Sequence, residues 1–496
     1  MSKYTSRFSV FLLLSLVFSS CTLQDALTDI SNEGESVTIA YAEPLSTYSP
    51  LSYEAKNRKY LANIYEPLLR FDSTFNMDTA LAVSWGRLDD NTWDFRLRED
   101  VLFHDGSTFD AEDVVYSLRL AQDQEGSELG ALLSTIVGIE KTGTHRLSIV
   151  TEMPDPLLLN RLTYLYVVPD AYDDFSLPIG TGPYRISGYS DNTLELERFD
   201  GYWGALSYFK TAKLKYIADP DERKEAFLSG DVQVLANVPP QAVEDLEAAG
   251  IKVMDFPSLE VSFLMFNTQR VFSDENLRTA VWNVLGANYA DTFGGGYLME
   301  TSQVAAGGIT GYMKAWEERE SDFDAAKQAR ALHEGDVAVT LDLPSGLSAL
   351  GEAIAEDLER IDIQVTVNTL EPDLFEEKIL SGASDCYFFG WKYDLADSAD
   401  FFESVVHTEE EGYGEFNGIS YSNPDLDLQI EQASTLLDHI KRRMVLETLT
   451  KQLMEDQVIL PLFESRVLYA LDSDLYYNFR LDGLILASEI VENMVK

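Results

Sequence analysis

Cysteine is almost missing from this chain: Cys21 and Cys386 are the two among 496 residues. A disulfide framework is thereby excluded, and stability has to come from a buried core, which a chain of this length can supply. Histidine is scarce too. His104, His145, His333, His407 and His439 are scattered without metal-ligand spacing, and neither G-x-S-x-G nor H-E-x-x-H occurs. No metal or other cofactor is expected, and hydrolysis by these familiar constellations is disfavoured. Bases are also short, 37 Lys and Arg against 84 Asp and Glu, a net charge of −47. Such a balance argues against nucleic-acid binding, which requires phosphate neutralisation. It fits first a solvated acidic shell, with an acidic groove for cationic ligands as the compatible alternative. After the N-terminus there is no run of about 18 apolar residues, so no later segment reads as a membrane-spanning helix.

What is present begins with an export signal. Lys3 and Arg7 precede the apolar stretch "FSVFLLLSLVFSS" (Phe8–Ser20), and small residues stand before Cys21. "VFSSC" resembles a bacterial lipobox, with Phe18 where leucine is usual. That resemblance implies cleavage after residue 20 and lipidation of Cys21, with acyl chains holding the mature protein on a membrane surface of the cell envelope. Lipidation leaves Cys386 without a disulfide partner. Residues 21–36 are polar and acidic and read as a tether.

The apolar fraction is that of a globular chain, and the length implies two or three domains. "SVTIAYAEP" alternates as a strand, "KNRKYLANIYEPLLRFD" reads as mainly helical, and "TWDFRLRED" places Trp93, Phe95 and Leu97 on one strand face. From Val337 onward "VAVTLDL", "LSALGEAIAEDLERI", "IQVTVNTL", "DLFEEKIL" and "DCYFFGW" follow as β-α-β-α-β, the pattern of a partly parallel sheet covered by helices. Ligands in such α/β sheets sit beyond the carboxyl ends of strands, which marks Trp391, Tyr393 and Asp394. Asn423-Pro424 then opens a helix with an apolar stripe at Leu426, Ile430, Ala433 and Leu437. A second helix over about 440–455 and the buried strand "VILPLF" follow.

Two local motifs invite a chemical reading. In "LREDVLFHDGSTFDAEDVVYSL", His104 stands beside Asp105-Gly106, yet Asp-Gly is a turn signal. Asp110 with Asp113 three residues later makes a helix N-cap close to a capping box, so a turn launching a helix explains these acids. In "LPIGTGPYRISGYSDNTLELERFDGYWG" the glycines precede a strand and no Lys-Ser/Thr follows, which disfavours phosphate binding.

The blocks "NIYEPLLRFD", "LAVSWGRLDDNTWDFRLREDVLFHDGSTFDAEDVVYSL", "GTGPYRISGYSDNTLELERFDGYWG", "FLMFNTQRVFSDENLRTAV", "YSNPDLDLQIEQAS" and "ILPLF" occur in order along nearly all the mature chain. In this the sequence resembles the large extracellular solute-binding proteins of peptide, nickel and related ABC importers, family 5. The resemblance implies an α/β clamshell, the type II periplasmic-binding-protein fold, with an extra subdomain inserted in the first lobe. Lobe I is expected at 37–66, 179–266 and 466–496, the insert at 67–178 and lobe II at 267–465. It further implies that Asp394 of "WKYD" pairs with a ligand α-amino group. Main-chain groups of Phe389, Gly390 and Trp391 would pair with ligand backbone, with Trp391 and Tyr393 beside the ligand. The chain departs from the family at Asp397-Ser398, where members often carry Asp-Pro or Glu-Pro, and at "LGANYADTFGGG".

The function this implies is capture of a solute, a peptide first, by a monomeric lipoprotein that hands it to an ABC permease, without catalysis. Oligosaccharides, metal chelates and haem are other solutes of such proteins. A ligand sensor or chaperone, and a glycoside hydrolase using paired carboxylates, are the competing classes.

Overall fold

The computed structural model describes residues 33–493, apart from 125, 287–288, 295–296, 315–318 and 411. The export signal, Cys21 and most of the tether lie outside the described residues. The tether's last part is corrected: Gly34 already pairs with Phe209, so the first strand begins two residues before Ser36.

One sheet organises most of the molecule. Its strands run in the order Ile363–Leu370, Val337–Pro344, Cys386–Lys392, Val253–Phe266, Ile459–Leu471, Val234–Ala236, Gly34–Tyr41, Phe209–Tyr216, Thr193–Arg198 and Tyr184–Ser190, with Leu298–Glu300 also pairing on Ile459–Leu471. Val337–Pro344 and Ile363–Leu370, joined through helix Ser348–Glu359, pair in parallel as a crossover connection requires, and Gly34–Tyr41 also pairs in parallel with Phe209–Tyr216. The β-α-β-α-β order expected from Val337 to Trp391 is present, with helices Ser348–Glu359 and Pro372–Leu380 between the strands.

Two long strands cross the middle of this sheet antiparallel to each other, Val253–Phe266 and Ile459–Leu471. Each changes core along its length. Met254, Phe256, Val467 and Tyr469 pack with Val37, Ile39, Tyr60 and Leu214. Val261, Phe263, Met265 and Ile459 pack with Tyr387, Phe401, Leu446 and Leu449, while Leu264, Phe266 and Leu460 face Leu341, Ile354 and Val281. The first crossing strand thus leaves one core for the other between Phe256 and Leu259, ahead of the boundary at 266 set from the sequence. The pairing register breaks at that point, between Pro257 and Val261, and Leu259 has a left-handed backbone with φ 61°. Pro257 brings no amide N–H to a ladder, which suits an interruption.

A separate four-stranded antiparallel sheet, ordered Ala82–Arg87, Thr92–Leu97, Arg146–Thr151 and Ile136–Gly143, builds its own core with helix Ala111–Asp123. The helix starts as its sequence dictates. The Asp110 side chain accepts from the Glu112 amide at 2.6 Å, and Asp113 Oδ2 accepts from the Asp110 amide at 2.7 Å, closing a capping box. Ala111, Val114, Val115, Leu118 and Ala121 supply its buried stripe.

His104 is structural. It is buried, its Nε2 meets the Gly182 carbonyl at 3.0 Å, and its Nδ1 accepts from the Gly180 amide at 3.3 Å. The tautomer this pair selects carries its proton on Nε2. Burial lowers the imidazole pKa to about 4. Gly180 and Gly182 are small for a reason: a Cβ would lie 2.1 Å and 2.6 Å from the Ile64 carbonyl oxygen. The glycine-rich block therefore lets two backbones touch, and its function is packing.

Two helical expectations are corrected. "KNRKYLANIYEPLLRFD" is helical only over Ala55–Leu61, after which Glu66 turns inward, Pro67 intervenes, and Leu69–Phe71 pairs with Met77–Thr79. The helix capped by Asn423 runs from Pro424 to Thr435, so Leu437 lies past its end while Leu426, Ile430 and Ala433 are buried.

Candidate functional site

The best-formed cavity, of about 420 Å³, lies where the two crossing strands break register. Its walls come from both sides of that break. One wall holds Tyr53, Arg58, Glu66, Tyr164, Arg480 and Asp482, and the other holds Pro257, Ser258, Glu260, Lys392 and Asp394. The volume falls within the range of about 300–1,000 Å³ common for small-ligand sites.

The second wall is built by one strand pair. Glu260 sits opposite Lys392 across the antiparallel ladder, and Lys392 Nζ lies 2.7 Å from Asp394 Oδ1. Burial raises the Glu260 pKa, against the pull of Lys392. Lys392 is taken by Asp394, and Glu260 has no ion pair among the described residues, which leaves this wall short of positive charge. The bulge shapes the same wall: Ser258 Oγ donates to the Ser465 carbonyl at 2.7 Å and accepts from the Glu260 amide at 3.2 Å.

The first wall presents the opposite charge. Arg58 is clamped between the rings of Tyr164 and Tyr166, 4.2 and 4.6 Å from their centroids, and donates to the Thr163 and Tyr164 carbonyls, both at 3.1 Å. No carboxylate of the described residues lies within ion-pair distance of it. Arg480, by contrast, is tied to Asp482 at 2.6 Å. Glu66 is buried and accepts from Trp203 Nε1 at 2.8 Å and from the Thr181 and Tyr202 hydroxyls, both at 2.9 Å; burial raises its pKa and these donors oppose the rise.

The walls touch each other. Tyr164 donates its hydroxyl to the Asp394 carbonyl at 3.2 Å, and Asn160 Nδ2 donates to the Leu395 carbonyl at 2.6 Å. The four-stranded subdomain thereby reaches across the cavity to the turn after Lys392.

The residues singled out from the sequence divide. Asp394 lines the cavity with its side chain partly exposed. Phe389, Gly390 and Trp391 lie on the strand Cys386–Lys392, each partly exposed, with Trp391 against Phe389, Phe401 and Phe416. On the side facing Val337–Pro344, only Cys386 and Tyr387 of this strand are paired. On the other side, the Tyr393 amide donating to the Leu259 carbonyl sets the phase of the ladder. Phe388, Gly390 and Lys392 therefore turn their backbone groups toward the edge that no described strand covers. Tyr393 is corrected. It is fully buried, donates to the Val304 carbonyl at 2.6 Å, and packs on Phe401, because strand alternation sends it away from the cavity. Asp397, at the departure from the family turn, bridges to buried Arg442, with Arg442 Nη2 3.0 Å from Oδ1.

Sequence reading missed Arg58, Tyr164, Glu260 and Lys392. Each belongs to a different segment, and only the crossing of the strands brings them together.

The model for bacterial extracellular solute-binding proteins, family 5, matches residues 76–413. Nickel-binding protein NikA of Staphylococcus aureus is 23% identical over 453 residues, covering 88% of this chain and 90% of that one. The dipeptide-binding protein of Escherichia coli is 24% identical over 428 residues, covering 76% and 79%. The fold is similar to that of the periplasmic binding protein DppA from Helicobacter pylori in complex with peptide STSA, with TM-score 0.76, 21% identity and coverage of 94% and 99%. It is also similar to NikA from Brucella suis in complex with Fe(III)-EDTA, with TM-score 0.83, 20% identity and coverage of 92% and 100%. The architecture is that of the type II periplasmic binding proteins.

Proposed function

The chain belongs to family 5 of the bacterial extracellular solute-binding proteins, and from that premise we propose that it grips a short peptide in the cavity at the strand crossing. It is the solute-binding protein of an ABC importer, acting on the periplasmic or extracellular side of the membrane. Its relatives are named for what they bind, and we read this chain likewise as a carrier that leaves its cargo intact. In our reading it is a monomer anchored through Cys21. Lobe I, in this reading, comprises 34–66, 179 to the bulge at Pro257–Val261, and 466–493 of the described residues; the insert is 67–178, and lobe II is the remainder up to 465.

The observation that carries the peptide reading is the charge arrangement about Tyr164. On one side stand Glu260 and Asp394 with the single ammonium of Lys392, which Asp394 engages; on the other stands Arg58, without a carboxylate partner among the described residues. A peptide brings an ammonium for the first and a carboxylate for the second. The uncovered edge at Phe388, Gly390 and Lys392 offers main-chain groups to an added strand, which recognises peptides independently of their side chains. Trp391 and Phe389 would wall that edge. A metal chelate bearing carboxylates is the second reading, favoured by the same lack of a carboxylate beside Arg58 and by the extent of the match to the staphylococcal nickel-binding protein.

Mass spectrometry of the solute that co-purifies from the native cells tests this directly, with peptides expected and a metal chelate supporting the second reading. With a recovered peptide in hand, Asp394→Asn is expected to weaken the free-amine form by about tenfold or more, ~1.4 kcal/mol. It should leave the N-acetylated form nearly unaffected. Equal losses for both would remove Asp394 from the amine role.

A further inference from the structure

His407 belongs to none of the interactions described so far. It is buried, 1% exposed, in the short turn that follows the helical segment Phe402–Val406, and it stacks on Tyr413 with ring centroids 4.2 Å apart. Its backbone is pinned by Asn417 Nδ2, which donates to its carbonyl at 2.8 Å. Nδ1 lies 2.7 Å from the Thr408 carbonyl, so it carries the proton and donates it there. Thr408 is itself held by Asp427, which accepts from its amide at 3.1 Å and its hydroxyl at 2.6 Å. Asp427 also lies 3.9 Å from Nδ1.

This chain of contacts leaves the Nε2 lone pair with no hydrogen-bond donor, although the atom is buried. It points at two more lone-pair bearers: Glu431 Oε1 at 3.5 Å and Glu410 Oε1 at 3.9 Å. One ligand atom from each of the three residues lies within 4.8 Å of the others. Three acceptors converging in this way repel one another unless something positive stands between them. A proton on Nε2 would draw one carboxylate to the ~2.7–2.9 Å of a charge-assisted bond. The observed 3.5 and 3.9 Å are wider. The shorter matches the separation of about 3.3–3.6 Å between neighbouring ligands of a tetrahedral ion with bonds near 2.0–2.2 Å, and a small inward turn of Glu410 would bring the longer to it. An imidazole whose other nitrogen donates to a backbone carbonyl is the usual posture of a metal-bound histidine.

We propose that His407, Glu410 and Glu431 hold one divalent transition cation of the zinc type, which clips the turn carrying His407 and Glu410 to the helix Pro424–Thr435 carrying Glu431. None of the three lines the cavity at the strand crossing, so the site is distinct from solute capture. One nitrogen and two carboxylate oxygens suit zinc better than magnesium or calcium, which prefer all-oxygen sets. The sequence conceals the site, because Glu431 lies 24 residues beyond His407 and no metal-ligand spacing joins them.

The test is calorimetric titration of the purified, chelator-stripped protein with zinc chloride alone, in about 0.15 M salt to screen the acidic surface and excess magnesium to occupy loose carboxylates. One saturable zinc is expected. Glu431 is partly exposed and makes no described hydrogen bond, so Glu431→Gln tests the site without disturbing the buried ring. It should weaken zinc by at least about 100-fold, since even groups behind the ligands are worth 10–100-fold. Zinc should raise the melting temperature of the parent protein and not that of Glu431→Gln. Glu410→Gln is a second independent variant. Equal zinc affinity in parent and both variants, or no saturable zinc in the parent, would overturn the proposal, as would an anomalous signal located elsewhere. Peptide affinity unchanged by Glu431→Gln would keep this outcome separate from that of the cavity.

Discussion

At the scale of the residue, environment decides what a titratable group does, and His104 makes the case. Its pKa is lowered to about 4 by burial, against an ordinary 6.5. Between those values the unfolded chain takes up a proton that the folded chain refuses, so stability falls as pH falls through this window and is fully present above 6.5. His104→Asn should remove that dependence. In urea unfolding at pH 7 and pH 4, the parent is expected to lose on the order of 3 kcal/mol more than the variant. Identical losses would show that the ring is not kept neutral. The residue scale is also where sequence reading is most uneven. The turn and cap around Asp105 and Asp110 were legible because their signals are local. Asp394 was legible through its position just after a strand, the same position that misplaced Tyr393, whose hydroxyl is spent on Val304. Arg58 and Glu260 carry no local signal at all, since their roles come from contacts across the fold.

At the scale of the element, the buried pair between Asp397 and Arg442 ties the turn after Lys392 to helix His439–Asp456. Arg442 also donates to the Ala433 carbonyl at 3.0 Å and so reaches the end of a second helix. Removing one partner of a buried ion pair strands the other. Arg442→Met is therefore expected to destabilise the protein by ~3–5 kcal/mol, measured by denaturant unfolding. The double variant with Asp397→Asn should recover part of that loss. A negligible change in Arg442→Met would show that the pair does not hold the turn. Helices and strands with regular periodicity, as from Val337 to Lys392, were readable because the pattern repeats over many residues. The premature end of the helix at Leu61 and the bulge at Pro257–Val261 were not readable. The first is accompanied, five residues on, by Glu66 entering a buried cluster of donors, and the second falls where one strand passes from one core to another.

At the scale of the whole molecule, the contacts of Tyr164 and Asn160 across the cavity and the register break mark the place where, on the function we propose, the halves would move. Solute gripped by both walls favours the closed form, because only that form offers all the contacts at once. A recovered solute is expected to reduce the radius of gyration in small-angle scattering and to raise the melting temperature. An unchanged scattering profile on saturation would count against closure as the capture step. The strand order that continues through both halves, across the register break, has a further bearing. Neither half owns a complete set of strand partners, so severing the chain between them would bare raw edges on each fragment. The jaws should consequently lose their order together on heating, as one calorimetric peak, and any early shoulder should belong to the small four-stranded appendage, which brings its own ladder. On the function we propose, opening and shutting would be the flexing of a single fabric, with its stiffness set by the few residues at the fold line.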